Sequence, residues 1–92
     1  MSETRPYAIF FAPAARRRLD QLPFPVATAI YEHIVGPLAE NPHRLGKPLD
    51  RPFDNVWAAR RGDYRILYSI DDGERVVTVL AVAHRRDAYR PR

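Results

Sequence analysis

Residues 56–83 hold three apolar runs separated by very short breaks: "VWAAR", "DYRILYSI" and "RVVTVLAVA". Each has strand length, is rich in branched or aromatic residues, and is bounded by a turn signal. "RRGD" separates the first two and "DDG" the last two. Breaks this short allow only antiparallel pairing, because parallel neighbours need a crossover of a dozen residues or more. The expected product is a meander. In its middle strand Tyr64, Ile66, Tyr68 and Ile70 fall on one face, and Arg65, Leu67 and Ser69 on the other. One face is apolar and needs a cover, while the other carries an arginine in mid-strand, where branched and aromatic residues are preferred. Gly73 is expected to supply the positive φ of the second turn.

The cover lies upstream. "YAIFF", residues 7–11, reads as a short first strand. Pro13 suits the first turn of a helix. Ala12, Ala15, Leu19 and Leu22 then recur at spacings of three and four, giving one buried stripe. Pro23 ends that helix and Pro25 can start the next, whose stripe is Val26, Ala27, Ile30, Ile34 and Leu38. So short a connection predicts an antiparallel hairpin of helices. Pro37 has no N–H for the carbonyl of His33, so a kink or split is expected at Gly36-Pro37. "NPHRLGKPLDRPFDN", residues 41–55, contains three prolines and a glycine and reads as a loop. The expected fold is α+β: an N-terminal strand and a helical hairpin packed on one face of a twisted, mostly antiparallel four-stranded sheet.

With 92 residues, one domain spanning 1–92 is expected. The absence of cysteine excludes disulfides, thiol catalysis and cysteine-ligated zinc, and fits a reducing cytoplasm. The start lacks a signal-peptide pattern, and no apolar run approaches the roughly 20 residues of a membrane helix. A cytoplasmic protein without membrane contact is therefore expected. Net charge is +4, and Lys47 is the only lysine among 15 basic residues. Such a balance favours polyanions or an acidic protein partner. Arginine forks onto phosphate or carboxylate with two parallel hydrogen bonds, which lysine does not.

The chain then crowds "HRRDAYR", residues 84–90, at the end of its last apolar strand. The bland reading is a chain leaving its core for water. The chemical reading is a phosphate-handling end. Arginine keeps its proton and is a persistent charge clamp. Histidine exchanges a proton near neutral pH, and tyrosine can do so where cations stabilise its phenolate. RNA cleavage by its own 2′-hydroxyl needs a base, cations for the phosphorane and an acid for the leaving 5′-oxygen. His33 and His43 read as structural or solvent-facing, and three dispersed histidines make a weak metal site. "RGD" at 61–63 reads as a turn. No glycine-rich phosphate loop and no metal or other cofactor is expected.

"ARRGDYRILYSID", followed by an apolar strand and "HRRDAYR", resembles the RelE/ParE superfamily of bacterial toxins, most of all its actinobacterial RelE branch. "GPLAENPHRLGKPL" resembles the segment before their sheet, so the resemblance covers nearly the whole chain. It implies the toxin of a type II toxin–antitoxin system, a helical hairpin on a twisted antiparallel sheet, and metal-independent, ribosome-dependent cleavage of mRNA in the A site. It also implies a cognate acidic RelB-like antitoxin in a hetero-oligomer. Arg65 matches the strand arginine at the scissile phosphate, Arg85 the arginine after the last strand, and Tyr89 the C-terminal tyrosine proposed as general base. His84 stands where some branches use histidine as acid or base. Arg60, Arg61, Arg86, Arg90 and Lys47 become RNA-binding contacts. The chain departs from the best-known branch in lacking its lysine pair on the strand before "DYR", where Val56 and Ala58 stand. The ParE side of the superfamily shares the fold but poisons DNA gyrase and cuts no RNA. The missing lysines favour that alternative, and "HRRDAY" disfavours it.

Overall fold

The computed structural model describes residues 5–49 and 55–88. In chain order it has β1 (Ala8–Phe11), α1 (Pro13–Gln21), α2 (Phe24–His33), a π-helical turn (Ile34–Leu38) and α3 (Pro42–Leu45). These are followed by β2 (Gly46–Pro48), β3 (Trp57–Arg61), β4 (Tyr64–Asp71), β5 (Val76–His84) and α4 (Arg85–Ala88). Proline punctuates the helical half. Pro13 opens α1, and Leu22, extended at ψ 153°, closes it just before Pro23. Pro37 breaks the run beginning in α2 as its missing N–H requires. The chain answers with the wide turn, in which the Ala39 N–H reaches back to the Ile34 carbonyl. Among the described residues no helix is long and apolar enough to cross a membrane.

The sheet has five strands in the order β1-β5-β4-β3-β2, and β1 runs parallel to β5. This corrects the expected four-stranded sheet in two respects. The helices carry the chain from β1 at one edge to β2 at the other, and the meander then returns β5 beside β1 and parallel to it, making the sheet mixed. The fifth strand, β2, lies inside the stretch read as a loop, together with α3. Its prolines obscured it, but Pro48 ends an edge strand, where a missing donor is tolerated. Gly46 is required there by space rather than φ. A Cβ on it would collide with the Tyr68 hydroxyl and the Ala58 carbonyl. Residues 50–54 of the same stretch lie outside the described residues.

Helices cover one face. Ala15 and Leu19 of α1, Ile30 of α2, and Ile34 and Leu38 of the π turn are buried against Ile66, Tyr68, Ile70, Val77, Val79 and Val82. Each large side chain buried this way contributes roughly 1.5–3 kcal/mol. Tyr68 is fully buried, and its hydroxyl donates to the Pro42 carbonyl at 2.6 Å, tying α3 to the sheet. Burial pushes that phenol up to about 12.

A bulge in β5 has the largest consequence for function. Leu67 pairs with Ala81 but Tyr68 with Val79, leaving Leu80 as the extra residue. The alternation of β5 therefore changes parity. Val77 and Val79 face the helices before the bulge, and Val82 and His84 share that face after it. The β4–β5 turn also differs from expectation. The positive φ belongs to Arg75, at 54°, not to Gly73, while Asp71 Oδ1 accepts the Glu74 N–H at 3.0 Å and closes the turn. In the β3–β4 turn Gly62, with φ 61°, takes the first central position, as a type II′ hairpin needs.

Candidate nucleic-acid interface

The face of the sheet away from the helices is set by strand register. Arg60 of β3 pairs directly with Arg65 of β4, and Arg65 pairs on its other side with Ala83 of β5. One step along, Ala58 pairs with Leu67, and Lys47 of β2 pairs with Ala58. Directly paired residues share a face, so Lys47, Arg60 and Arg65 stand together over a floor that includes Ala58, Ala81 and Ala83. Lys47, Pro48, Leu49, Ala58, Arg60 and Arg65 line a shallow groove of about 220 Å³. The floor is alanine on either side of Leu67, which shares this face between Ala58 and Ala81.

Two arginines directly opposite one another are unfavourable. Cross-strand pairs are worth roughly 0.2–1 kcal/mol, and like charges carry the wrong sign. The arrangement becomes favourable when an anion lies between them, because each guanidinium presents a fork of donors matched to phosphate or carboxylate. A groove that sets two guanidinium groups and an ammonium on one open face suits an anion such as a phosphate.

The other predicted residues are distributed around this face. Arg61 pairs with Tyr64 and so turns toward the helices, where it lines a cavity of about 320 Å³ with Pro25, Val26, Ala29 and Ile30 of α2. Burial first, and then the Arg61 charge, lower the pKa of His33. His84 pairs with Tyr64 and meets its ring edge-on, at 5.2 Å between centroids, on the face away from Arg65. Its Nδ1 accepts the Arg86 N–H at 3.2 Å, so this nitrogen caps α4 and only Nε2 remains for other chemistry. Arg85 lies at the end of the sheet. Its N–H donates to the Asp63 carbonyl at 2.7 Å, and its exposed Nε is 4.0 Å from Asp63 Oδ1. The β3–β4 turn therefore fixes where α4 begins. Arg86 is exposed on α4. Tyr89 and Arg90 lie outside the described residues.

Sequence reading missed the alanine floor and the part of β2 in building the groove. The floor had a signal, since Ala58, Ala81 and Ala83 are small residues in otherwise bulky strands. Their joint position depends on the bulge, which no residue type announces.

The chain matches the family model described as the ParE toxin of the type II toxin-antitoxin system parDE over residues 9–89. It is 46% identical to Toxin RelE of Mycobacterium tuberculosis over 90 residues, covering 98% of this chain and 93% of that protein. It is also 46% identical to Toxin RelG of the same organism over 85 residues, covering 92% and 98% respectively. The toxin–antitoxin complex RelBE2 from M. tuberculosis contains a chain that superposes with a TM-score of 0.84 at 42% identity, covering 91% of this chain and 97% of that one. A chain of the intact E. coli RelBE complex shares the fold, with a TM-score of 0.72 at 22% identity over 85% of this chain and 95% of that one.

Proposed function

We propose that this chain, which belongs to the RelE/ParE superfamily of type II toxin–antitoxin toxins, is a ribosome-dependent endoribonuclease that cuts mRNA in the A site. The observation that carries this reading is the Arg60–Arg65 pair over the alanine floor, with Lys47 beside it. In the reaction the 2′-oxygen attacks the adjacent phosphorus and the bond to the 5′-oxygen breaks. Arg65 and Arg60 hold the non-bridging oxygens, where negative charge grows in the transition state. Arg85, anchored by Asp63, approaches from the end of the same sheet. Removal of the 2′-hydroxyl proton falls to Tyr89, because register turns His84, the other candidate, to the face away from Arg65. Arg86 and Arg90 follow neighbouring phosphates.

The partner in the cell is a cognate acidic RelB-like antitoxin, and the two form a hetero-oligomer. Its acidic segments satisfy the same arginines that otherwise meet RNA. The M. tuberculosis and E. coli structures similar to this chain are toxin–antitoxin complexes, which supports this reading. Co-expression with the adjacent gene and affinity capture should recover a complex that dissociates more readily at high salt.

A second reading has its own support. The matching family model is that of ParE, and Val56, just before β3, and Ala58, within it, stand where the best-known RNA-cleaving branch carries lysines. On this reading the chain binds DNA gyrase and cuts nothing. Purified protein added to programmed ribosomes should release fragments ending in a 2′,3′-cyclic phosphate and a 5′-hydroxyl, while leaving gyrase supercoiling unchanged. Intact mRNA together with inhibited supercoiling would reverse the assignment.

A further inference from the structure

We propose that Lys47 donates the proton to the leaving 5′-oxygen, a role that rests on the endoribonuclease reading above. The reaction needs an acid on the groove side of the sheet. Arg60 and Arg65 hold their protons too firmly for that task, since a guanidinium does not deprotonate in proteins. His84 faces the other way by register, and its Nδ1 is engaged with the Arg86 N–H. Among the described groove-lining residues, Lys47 is the one cation able to give up a proton.

Its placement supports the role. Lys47 pairs with Ala58 across β2 and β3, and Ala58 pairs with Leu67 two residues along β4 from Arg65. The lysine therefore stands one strand beyond Ala58 and two residues along from Arg60. Neighbouring strands are about 5 Å apart, and two residues span roughly 7 Å, a gap that a four-carbon stem and a bound phosphodiester can close together. A side chain larger than alanine at position 58 would occupy that path. The neighbouring strand thus supplies an ammonium where β3 has none. The bland alternative is a lysine that guards an exposed edge strand against pairing with another chain.

The step balances. The 2′-oxygen, having lost its proton to the base, bonds to phosphorus. The phosphorus–O5′ bond breaks and its electron pair stays on the 5′-oxygen. An Nζ proton of Lys47 neutralises that oxygen, leaving a 2′,3′-cyclic phosphate and a 5′-hydroxyl, and the amine regains a proton from water.

The test measures single-turnover cleavage on programmed ribosomes by wild type, Lys47→Ala and Lys47→Arg, with melting temperature as the control for folding. Both variants should be slower by about 10²–10⁴-fold, the usual contribution of a positioned acid. An mRNA with sulfur at the scissile 5′-bridging position releases a thiolate that needs no proton, and Lys47→Ala should cut it nearly as fast as wild type. Wild-type rates with Lys47→Arg, or no recovery on the sulfur substrate, would make Lys47 a charge contact or an edge guard and overturn the proposal. An inactive wild type would instead overturn the endoribonuclease reading, and the role of Lys47 with it.

Discussion

The two ends of the sheet are both crowded with charged and titratable groups, yet they are built on opposite rules. At the β4–β5 turn, unlike groups meet. Tyr7 donates to Asp72 Oδ1 at 2.6 Å, His43 Nε2 lies 3.1 Å from Asp72 Oδ2, and the Arg75 guanidinium sits 4.3 Å from the Tyr7 ring centroid while also reaching the Arg5 carbonyl. The His43 ring packs edge-on against Trp57 at 5.2 Å. The Tyr7 hydrogen bond, aided by His43, lowers the pKa of Asp72, and the same bond raises that of Tyr7. At the β3–β4 end, arginine is set directly opposite arginine with Lys47 nearby. One end closes its charges on each other and fastens β1 and α3 to the sheet. The other sets arginine beside arginine across the strands, with Arg85 and Asp63 at its turn. Charge density alone therefore does not mark a site, but the sign of the neighbours does.

Making the basic end resemble the paired end should break it as a site. Arg60→Glu would place unlike charges across β3 and β4, so it should cut mRNA about 10²–10³-fold more slowly, by the loss of one transition-state charge contact. It should also gain a few tenths of a kcal/mol in stability by denaturant titration. A variant that loses stability and keeps its rate would mean the arginine pair is structural.

The paired end should behave in the reverse way. Tyr68→Phe removes the donor to the Pro42 carbonyl and should cost about 1–3 kcal/mol, with each kcal/mol lowering Tm by about 4–8 °C in a domain of this size. The cleavage rate of the folded variant should not change. The raised phenol also fixes a sign. The folded state holds this proton more tightly than the unfolded state, so Tyr68 stabilises fully below its ordinary value of 10.0 and loses that contribution as pH rises toward about 12. Wild type should therefore weaken on that alkaline limb more than Tyr68→Phe.

Asp72→Asn tests a smaller effect. The folded pKa of Asp72 lies below its ordinary 3.8, so its stabilisation is present above that value and fades as pH falls through the lower folded one. The variant should flatten the acid limb of stability against pH and leave mRNA cleavage untouched. A loss of cleavage would show that the two ends are coupled rather than independent.

What could be read from sequence followed the same division. Arg65 stood out because alternation in β4 is regular and an arginine in mid-strand breaks the preference for apolar residues. The helix ends were legible because proline acts locally, and the π turn is the physical form of the split expected at Gly36-Pro37. β2 was hidden because its strand character comes from Gly46 fitting under Ala58 and Tyr68, a contact between distant residues. His84 shows the same limit. Strict alternation from Val77 carries it to the face of Arg65, and the bulge at Leu80 returns it to the face of Tyr64. The Tyr7–Asp72–His43 cluster joins three segments far apart in sequence, so nothing local could announce it.

The central claim, that the arginine face acts on RNA, is tested most directly at Arg65. Wild type, Arg65→Ala and Arg65→Lys should be compared in single-turnover mRNA cleavage on programmed ribosomes, with melting temperature measured on the same samples. Loss of a transition-state charge contact is worth roughly 3–4 kcal/mol, or about two to three orders of magnitude in rate. Both variants should lose that much with no fall in Tm, because lysine cannot reproduce the two-pronged contact. Cleavage by Arg65→Ala at the wild-type rate, or a loss of rate matched by unfolding, would contradict the account.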